Sequence, residues 1–354
     1  MPDNLYTRNG VFYARIQVDG EDRRQSLRTS NRREARARLK QFLAQASAYH
    51  GTIEKTFDDV MAEYLADLAT TAKTSTVERY TTSALMLTDQ FGGWRWSAIT
   101  KQAVLAYIEK RKKSGVKIPT IRRDLTALSQ AAEFAIERDW GAINPVGQIG
   151  KRTVRYKPPV FSRPDPKSIT LAVNTAYGNL GPLSRFLRAT GMRLMEAATL
   201  TRKQVDFPAR KATLPGTKNG TTRTVDLNSV ALGILKAQPF DITAPDLFFP
   251  ARGGKAYAQA STNWNEQTRK LQEAHKSFHR FSLHGLRHLY AIEYLEAGGN
   301  LYTLQKQLGH GSIRQTEYYL QFLSPKQQLV AKGESAQTPA LQQRFSVDGS
   351  ATNG

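Results

Sequence analysis

Six side chains in the second half of the sequence have the chemistry needed to cleave a phosphodiester without a metal ion. They are two arginines, a lysine, two histidines and a tyrosine: Arg193, Lys218, His284, Arg287, His310 and Tyr319. A phenol that attacks phosphorus must lose its proton, the non-bridging oxygens need fixed donors, and the leaving alkoxide needs a general acid. Tyr319 suits the first task and the two arginines suit the second. Lys218 with a histidine suits the third.

Each of these residues also has an ordinary structural explanation when it is considered alone. An arginine after Thr-Gly-Met is usually a surface or helix-start residue, and a lysine in a glycine-rich turn is usually solvated. His284 and Arg287 are three residues apart, which is a common spacing on one helix face. Tyr319 could be a core aromatic residue. The chemical interpretation therefore depends on the joint occurrence of all six in one order.

The charge of the chain is concentrated in the same region as these six residues. The formal net charge is +21 for 354 residues, and residues 151–330 contain 26 basic and 11 acidic side chains, a net +15. Such an excess favours a polyanionic partner through counterion release. A basic surface that only maintains solubility is the alternative, and the size of the excess makes nucleic acid the better interpretation.

The composition excludes several other classes of protein. The hydrophobic content of 40% supports packed cores, and the length fits two or three domains. The absence of cysteine excludes a disulfide framework and thiolate metal ligands, and it is typical of a reducing compartment. The N-terminus has no apolar signal segment and no run of 18 apolar residues occurs. We therefore expect a cytoplasmic protein with no membrane partner.

The N-terminal segment predicts a small sheet followed by a helix. Residues 11–18 alternate between apolar and polar side chains, Asp19-Gly20 predicts a turn, and residues 23–29 predict a returning strand. Asn31 is suited to cap the helix that follows. Tyr13 and Arg15 lie on the polar face of the predicted sheet, where they either contact DNA or form a solvated β surface.

Residues 56–147 predict a helical domain. The expected helices begin after a Thr56 cap, after a capping box of Ser75 and Glu78, near Thr100, and at Pro119. Basic side chains in and after this domain could contact phosphates, although a solvated charged face explains any single one of them. These candidate DNA contacts are Lys112, Arg122, Arg123 and Arg152.

The remainder of the chain predicts mixed helices with a short antiparallel hairpin. Residues 212–215 and 222–227 form its expected strands, so that Lys218 lies in the turn between them. The expected fold class is α+β with several domains. Its parts are an N-terminal domain at 1–54 with a three-stranded sheet, a helical domain at 55–150 and a linker at 151–158. A catalytic domain at 159–334 and a polar tail at 335–354 complete it.

These motifs together resemble those of the tyrosine site-specific recombinases, and within them the integrases of temperate phages and genomic islands. TGMRLMEAATL at 190–200 is similar to the first arginine box, including its glutamate at Glu196, and HGLRH at 284–288 is similar to the second. GTKNGTTRTVDL at 216–227 is similar to the hairpin that carries the catalytic lysine. LGHGSIRQTEYY at 308–319 is similar to the stretch that joins the last histidine to the nucleophile.

The resemblance implies a role for each residue and a set of partners. Arg193 and Arg287 would bind the scissile phosphate, Tyr319 would form a 3′-phosphotyrosyl link, and Lys218 would protonate the 5′-hydroxyl. His284 and His310 would assist, and neither ATP nor a metal or other cofactor would be needed. The N-terminal domain would be an arm-type DNA-binding domain, and 55–150 would be a core-binding domain. The partners would be duplex attachment sites, a homotetramer with exchanged C-terminal segments, and accessory proteins for DNA bending and excision.

Three functions remain open at this level. The first is an integrase that inserts and excises a mobile element in a bacterial cell, associated with the nucleoid. The second is a type IB topoisomerase, and the third is a non-catalytic DNA-binding regulator on the same scaffold. The nine-residue step from His310 favours Tyr319 over the adjacent Tyr318 as the nucleophile, and we expect His288 to be structural.

Overall fold

The structure, a computed structural model, describes residues 5–18, 21–47, 55–216, 222–239 and 246–333. The chain divides into two compact units, Met1–Pro158 and Pro159–Gly354. No helix within the described ranges is long and apolar enough to cross a membrane.

The first unit begins with an antiparallel sheet and a helix. The elements are β1 (Leu5–Arg8), β2 (Val11–Val18), β3 (Glu21–Ser26) and α1 (Arg32–Ser47), with strand order β1-β2-β3. Ala14 on β2 packs in a small core with Leu27 and Ala35, as the alternating pattern predicts. The Asn31 side chain accepts a hydrogen bond from the Arg33 amide at 2.9 Å, which confirms the predicted cap. The predicted Asp19-Gly20 turn lies outside the described residues.

The rest of the first unit is a helical bundle. Its helices are α2 (Phe57–Thr71), α3 (Thr74–Phe91), α4 (Lys101–Lys113) and α5 (Ile118–Glu137). Thr56 forms a capping box with Asp59 at the start of α2, and the Thr100 side chain caps α4. One face of each helix contributes to a common core that includes Phe57, Leu87 and Leu128. This core holds the bundle together through burial of apolar area.

The predicted capping box of Ser75 and Glu78 is wrong. Helix α3 starts at Thr74, Lys73 takes the cap position, and the Lys73 side chain does not cap the helix. Only two residues separate α2 from α3, so the chain already turns into the new helix before Ser75. The backbone carbonyl of Lys73 accepts the first helical hydrogen bonds instead. The tertiary packing of the two helices therefore overrides the local capping signal.

The second unit combines a small antiparallel sheet with many helices. The sheet has the order β4-β5-β6, with β4 (Val205–Asp206), β5 (Lys211–Leu214) and β6 (Arg223–Asp226). The helices before and after the sheet are α6 (Pro166–Asn174), α7 (Leu180–Thr190), α8 (Leu194–Ala198), α9 (Ser229–Lys236), α10 (Ala260–Ala274), α11 (Leu283–Glu296), α12 (Leu301–Leu308), α13 (Ile313–Glu317) and α14 (Pro325–Lys332). A short 3₁₀ helix, Tyr318–Phe322, lies between α13 and α14.

Two hydrophobic cores position the functional segments of the second unit. The larger core packs α7, the sheet and α10 against the start of α11, and it includes Phe186, Val225 and Trp264. The smaller core packs α11 against α12 and the 3₁₀ helix, and it includes Leu304 and Tyr319. Helix α11 contributes to both cores and therefore links them. The predicted mixture of helices with two small antiparallel sheets is confirmed.

Candidate active site

Arg193 lies at a tight junction between two helices. Gly191 ends α7 with φ +66°, and a Cβ at this position would lie 2.4 Å from the Tyr290 ring, so a glycine is required. Arg193 then occupies the cap of α8 and donates to Glu196 Oε1 at 3.0 Å and to the Gly309 carbonyl at 2.6 Å. Its side chain remains 43% exposed. The guanidinium is therefore fixed in position but keeps surface for a ligand.

Arg287 lies deeper, on the first turns of α11. It is 3% exposed, and its two terminal nitrogens donate to the carbonyls of Gly191 at 2.6 Å and Leu308 at 2.9 Å. Burial and the neighbouring Arg193 lower the pKa of Arg287 to about 10, so that it stays charged at neutral pH. Because these hydrogen-bond partners are neutral carbonyls, the buried charge favours an anionic ligand.

Glu196 connects the first arginine to the hairpin. Its side chain is 7% exposed and accepts hydrogen bonds from the Arg193 amide at 2.9 Å, the Arg193 guanidinium, and Arg223 Nη2 at 2.5 Å. Burial raises the pKa of Glu196, but these hydrogen bonds outweigh it and hold the pKa below its usual value. Arg223 on β6 also donates to the Gln307 carbonyl at 2.7 Å. Arg223 was not among the residues predicted from the sequence, where its signal is a cation at the start of the returning strand.

Lys218 lies outside the described residues, and its catalytic role stays a prediction. The two antiparallel strands predicted on either side of it are present, with Leu214 opposite Arg223. Arg223 is the first residue of β6 and donates a hydrogen bond to Glu196, which also accepts one from Arg193. The described end of the hairpin, at Leu214 and Arg223, therefore lies beside the residues that hold the first arginine.

The two predicted histidines have different contacts. His284, in the first turn of α11, is exposed, and partial burial together with Arg287 and Arg193 lowers its pKa. His310 Nδ1 lies 2.9 Å from Thr316 Oγ1, and its ring lies nearly parallel to Tyr319 at a centroid distance of 6.4 Å. Burial is the main cause that lowers the pKa of His310 to about 4, and the charges of Arg287 and Arg193 add to it. His310 is therefore a neutral imidazole at pH 7.

The two adjacent tyrosines have different surroundings. Tyr319 is 2% exposed and its ring lies among the site histidines, whereas Tyr318 is 38% exposed. The Tyr318 hydroxyl accepts a hydrogen bond from the Phe161 amide at 3.1 Å. Burial raises the pKa of Tyr319 to about 12, against the opposing effect of Arg287. The geometry thus groups Tyr319 with the arginines and histidines and gives Tyr318 a backbone partner elsewhere.

His288, for which the sequence predicts a structural role, contacts the Tyr319 hydroxyl. Its Nδ1 lies 2.9 Å from the Tyr319 hydroxyl, and its ring packs edge-on against His284 at 4.6 Å. Burial is the main cause that lowers the pKa of His288 to about 4, and the neighbouring His284 and Arg287 add to it. The signal was present in the motif HGLRH, because residues four apart share one face of a helix.

The other candidate DNA contacts are dispersed over the first unit. Tyr13 stacks on Tyr6 at 5.5 Å, and Arg15 is exposed opposite Arg24. Lys112 forms an ion pair with Glu109 at 2.9 Å. The remaining three, Arg122, Arg123 and Arg152, are exposed. None of these six residues belongs to the cluster around Tyr319.

Comparisons with known proteins agree with this fold. Residues 170–324 match the model of the phage integrase family. The chain is 28% identical over 230 residues to the tyrosine recombinase XerC of Agrobacterium fabrum, covering 60% of this chain and 70% of that protein. It is 26% identical over 227 residues to the integrase of Escherichia phage P2, covering 63% of this chain and 61% of that protein.

Solved structures show the same architecture at lower sequence identity. A lambda integrase dimer bound to a COC′ core site superposes with a TM-score of 0.63 at 19% identity, covering 90% of this chain and 95% of that chain. The Tn1549 transposon integrase in complex with a circular intermediate DNA superposes with a TM-score of 0.59 at 20% identity, covering 73% of this chain and 94% of that chain. The match of residues 170–324 to the phage integrase family and the likeness to tyrosine recombinases in sequence support a DNA-recombining enzyme, and the integrase structures share its fold.

Proposed function

We propose that the protein is a site-specific integrase that joins and excises a mobile DNA element through a 3′-phosphotyrosyl intermediate. The observation that carries this proposal is the grouping of the buried Tyr319 hydroxyl with the His288 imidazole and the Arg287 guanidinium, which has Arg193 as its neighbour. A buried phenol beside cations is suited to attack an anion that those cations bind.

The reaction exchanges one phosphoester bond for another. Tyr319 Oη forms a bond to phosphorus while the bond from phosphorus to the 5′ oxygen breaks, and Lys218 supplies the proton that the 5′ oxygen takes up. Attack by a second 5′-hydroxyl on the phosphotyrosine reverses these steps and releases Tyr319. Because the ester is conserved throughout, strand exchange requires no ATP.

The arginines supply the electrostatic part of catalysis. Each terminal nitrogen of a guanidinium carries two hydrogens, so Arg193 and Arg287 retain donors after the observed carbonyl and carboxylate contacts. These donors are already fixed, and they are therefore suited to the charge that develops on the non-bridging oxygens. Neutral His284 and His310 would add donors or relay protons at the edge of the same site.

The remaining parts of the chain would hold the DNA. We assign residues 55–150 to core-site binding, with Arg122 and Arg123 on the exposed side of α5, and residues 1–54 to a second, arm-type site that Tyr13 and Arg15 contact. The linker residue Arg152 and the charge of +15 over residues 151–330 would add phosphate contacts. A lambda integrase tetramer has been solved on a Holliday junction, which supports a tetramer for this chain as well.

A chromosomal recombinase of the XerC kind is the second candidate function. Several XerC proteins align with 26–28% identity, about as closely as the phage P2 integrase. The N-terminal sheet and helix favour the integrase. A lambda integrase complex covers 90% of this chain, whereas the lambda fragment 75–356 covers 74%, and this difference supports the assignment of an additional N-terminal domain.

The test begins with identification of the cleaved site. Cells expressing the chain are lysed in denaturant, and the DNA that remains bound to the protein is sequenced. A synthetic duplex carrying the recovered site, with a nick just beyond the scissile bond, then traps the intermediate because the short fragment diffuses away.

Four outcomes separate the candidate functions. Two dissimilar recombining sites support the integrase, whereas identical chromosomal sites support the XerC kind. Relaxation of supercoiled DNA without recombinants would indicate a topoisomerase, and binding without any adduct would indicate a regulator. Binding to the site should also weaken steeply with salt, as expected for many phosphate contacts.

A further inference from the structure

An imidazole lies within hydrogen-bond distance of the Tyr319 hydroxyl. His288 Nδ1 lies 2.9 Å from Tyr319 Oη, with the rings tilted by 56° at a centroid distance of 5.7 Å. Tyr319 is 2% exposed, so that the contact is largely screened from solvent. A buried phenol hydroxyl needs a partner, and this ring nitrogen provides it.

The other two histidines of the site are placed for different contacts. The His310 ring is nearly parallel to that of Tyr319 at a centroid distance of 6.4 Å, and its Nδ1 is 2.9 Å from Thr316 Oγ1. His284 packs edge-on against His288 and is exposed. The contacts therefore run from the exposed His284 to His288 on α11, and from His288 to Tyr319 on the 3₁₀ helix.

We propose that His288 is the proton acceptor for Tyr319 in the cleavage step, an assignment that rests on the proposed phosphotyrosyl chemistry. As Tyr319 Oη bonds to phosphorus, its proton moves to His288 Nδ1, which becomes an imidazolium. In the reverse step the same proton returns to Tyr319 as the DNA ester reforms. The proton that reaches the 5′ oxygen comes separately from Lys218, so that both transfers balance.

The electrostatics of the pocket are consistent with this assignment. His288 faces His284 and Arg287 from its own helix, Tyr318 and Tyr319 from the 3₁₀ helix, and His310 from the turn after α12. Burial and two of these neighbours keep the His288 ring neutral, so its nitrogen is free to accept a proton at pH 7. A bound phosphodiester adds a negative charge that offsets Arg287, and this raises the basicity of His288 when substrate is present.

If His288 is a general base, its variants should react at different rates than if it is only a passive hydrogen-bond acceptor. Asparagine places an amide near the position of Nδ1, where it accepts a hydrogen bond but does not take up a proton. We therefore compare His288→Asn and His288→Ala in single-turnover adduct formation on the nicked duplex. The matched control is His275→Asn, an exposed histidine after α10. Thermal unfolding of each variant identifies any folding defect, and the near-isosteric Asn variant carries the test if the Ala variant unfolds.

Two modified reagents show which of the two proton transfers a variant has lost, the one to the 5′ oxygen or the one from Tyr319. A 5′-bridging phosphorothiolate has a sulfur leaving group that departs without a proton, so it rescues Lys218→Ala but should not rescue the His288 variants. A ring-fluorinated tyrosine at position 319 ionises more readily. It should restore most of the rate to the His288 variants and little to Arg287→Ala.

The expected result is a rate loss of at least about tenfold in both His288 variants, because general bases contribute on the order of 10²–10⁴-fold. This loss should persist on the phosphorothiolate and be relieved by the fluorinated tyrosine. The proposal is overturned if His288→Asn reacts within about twofold of wild type, if His288→Ala is faster, or if fluorination gives no rescue. Wild-type protein that forms no adduct would instead overturn the proposed function itself.

Discussion

Glu196 is the residue whose replacement should most clearly separate the positioning of the site from its chemistry. Both carboxylate oxygens are engaged, Oε1 by Arg193 Nη1 and Oε2 by the Arg193 amide and Arg223 Nη2. A Glu196→Gln side chain has the same shape but presents one amide NH₂ group. In either orientation that group faces a donor, so at least one hydrogen bond becomes a repulsive contact.

The expected loss of stability follows from these contacts. Breaking one partner of a buried ion pair costs about 3–5 kcal/mol, and hydrogen bonds to charged groups contribute roughly 1.5–3 kcal/mol each. Because Arg193 is 43% exposed, water screens part of its ion pair with Glu196. We therefore expect a loss of stability at the low end of this range, about 3 kcal/mol. In a unit of this size that corresponds to a fall in Tm of about 6–12 °C.

The assay is urea and thermal unfolding of wild type and variant, combined with adduct formation on nicked DNA at a temperature where both remain folded. The matched control is Glu273→Gln, which breaks the exposed pair with Arg269 on α10 and should change stability by less than about 0.5 kcal/mol. The adduct rate of Glu196→Gln should fall because Arg193 loses its anchor. If both variants stay within about 0.5 kcal/mol of wild type, the reasoning about this network is refuted.

Three further predictions concern neighbouring parts of the site. A lysine side chain at position 287 cannot reach both the Gly191 and Leu308 carbonyls, so Arg287→Lys should lower the adduct rate by about 100-fold in single-turnover kinetics. An unchanged rate would contradict the proposed binding of the scissile phosphate by Arg287. Gly191→Ala should reduce the free energy of unfolding by about 2–4 kcal/mol in urea titrations, because the residue has φ +66° and its Cβ would meet the Tyr290 ring; a neutral result would contradict the close approach. His288 and His310 have folded-state pKa values of about 4 against an ordinary 6.5, so the unfolded chain takes up protons first as pH falls. Stability should therefore drop between about pH 6.5 and pH 4, by on the order of 1–2 kcal/mol for each at pH 5, and His288→Asn should flatten part of this loss in unfolding titrations.

Local features of the fold were predictable because their causes lie within a few residues. Thr56 and Thr100 cap helices through their own side chains, and the alternation around Ala14 marks a strand with one buried face. The signal at Ser75 failed because a two-residue connection between packed helices determines where α3 begins. Capping preferences are worth about 1 kcal/mol, and packing of whole helices exceeds that.

The contacts within the site required the structure because they join distant segments. Arg223 meets Glu196 across 27 positions of sequence, and His288 meets Tyr319 across 31. Residue types alone do not distinguish a histidine that packs in a core from one that contacts a nucleophile. The choice of Tyr319 over Tyr318 was made from spacing, and the different burial and hydrogen-bond partners of the two hydroxyls supply a physical reason for it.

The most direct test of the central proposal is to map the covalent bond in the trapped adduct. The adduct formed by wild-type protein on nicked DNA is digested with nuclease and protease, and the peptide that retains a nucleotide is sequenced by mass spectrometry. We predict a 3′-linked nucleotide on Tyr319, an adduct abolished in Tyr319→Phe, and an adduct preserved in Tyr318→Phe. A nucleotide on Tyr318, or an adduct that survives Tyr319→Phe, would contradict the account.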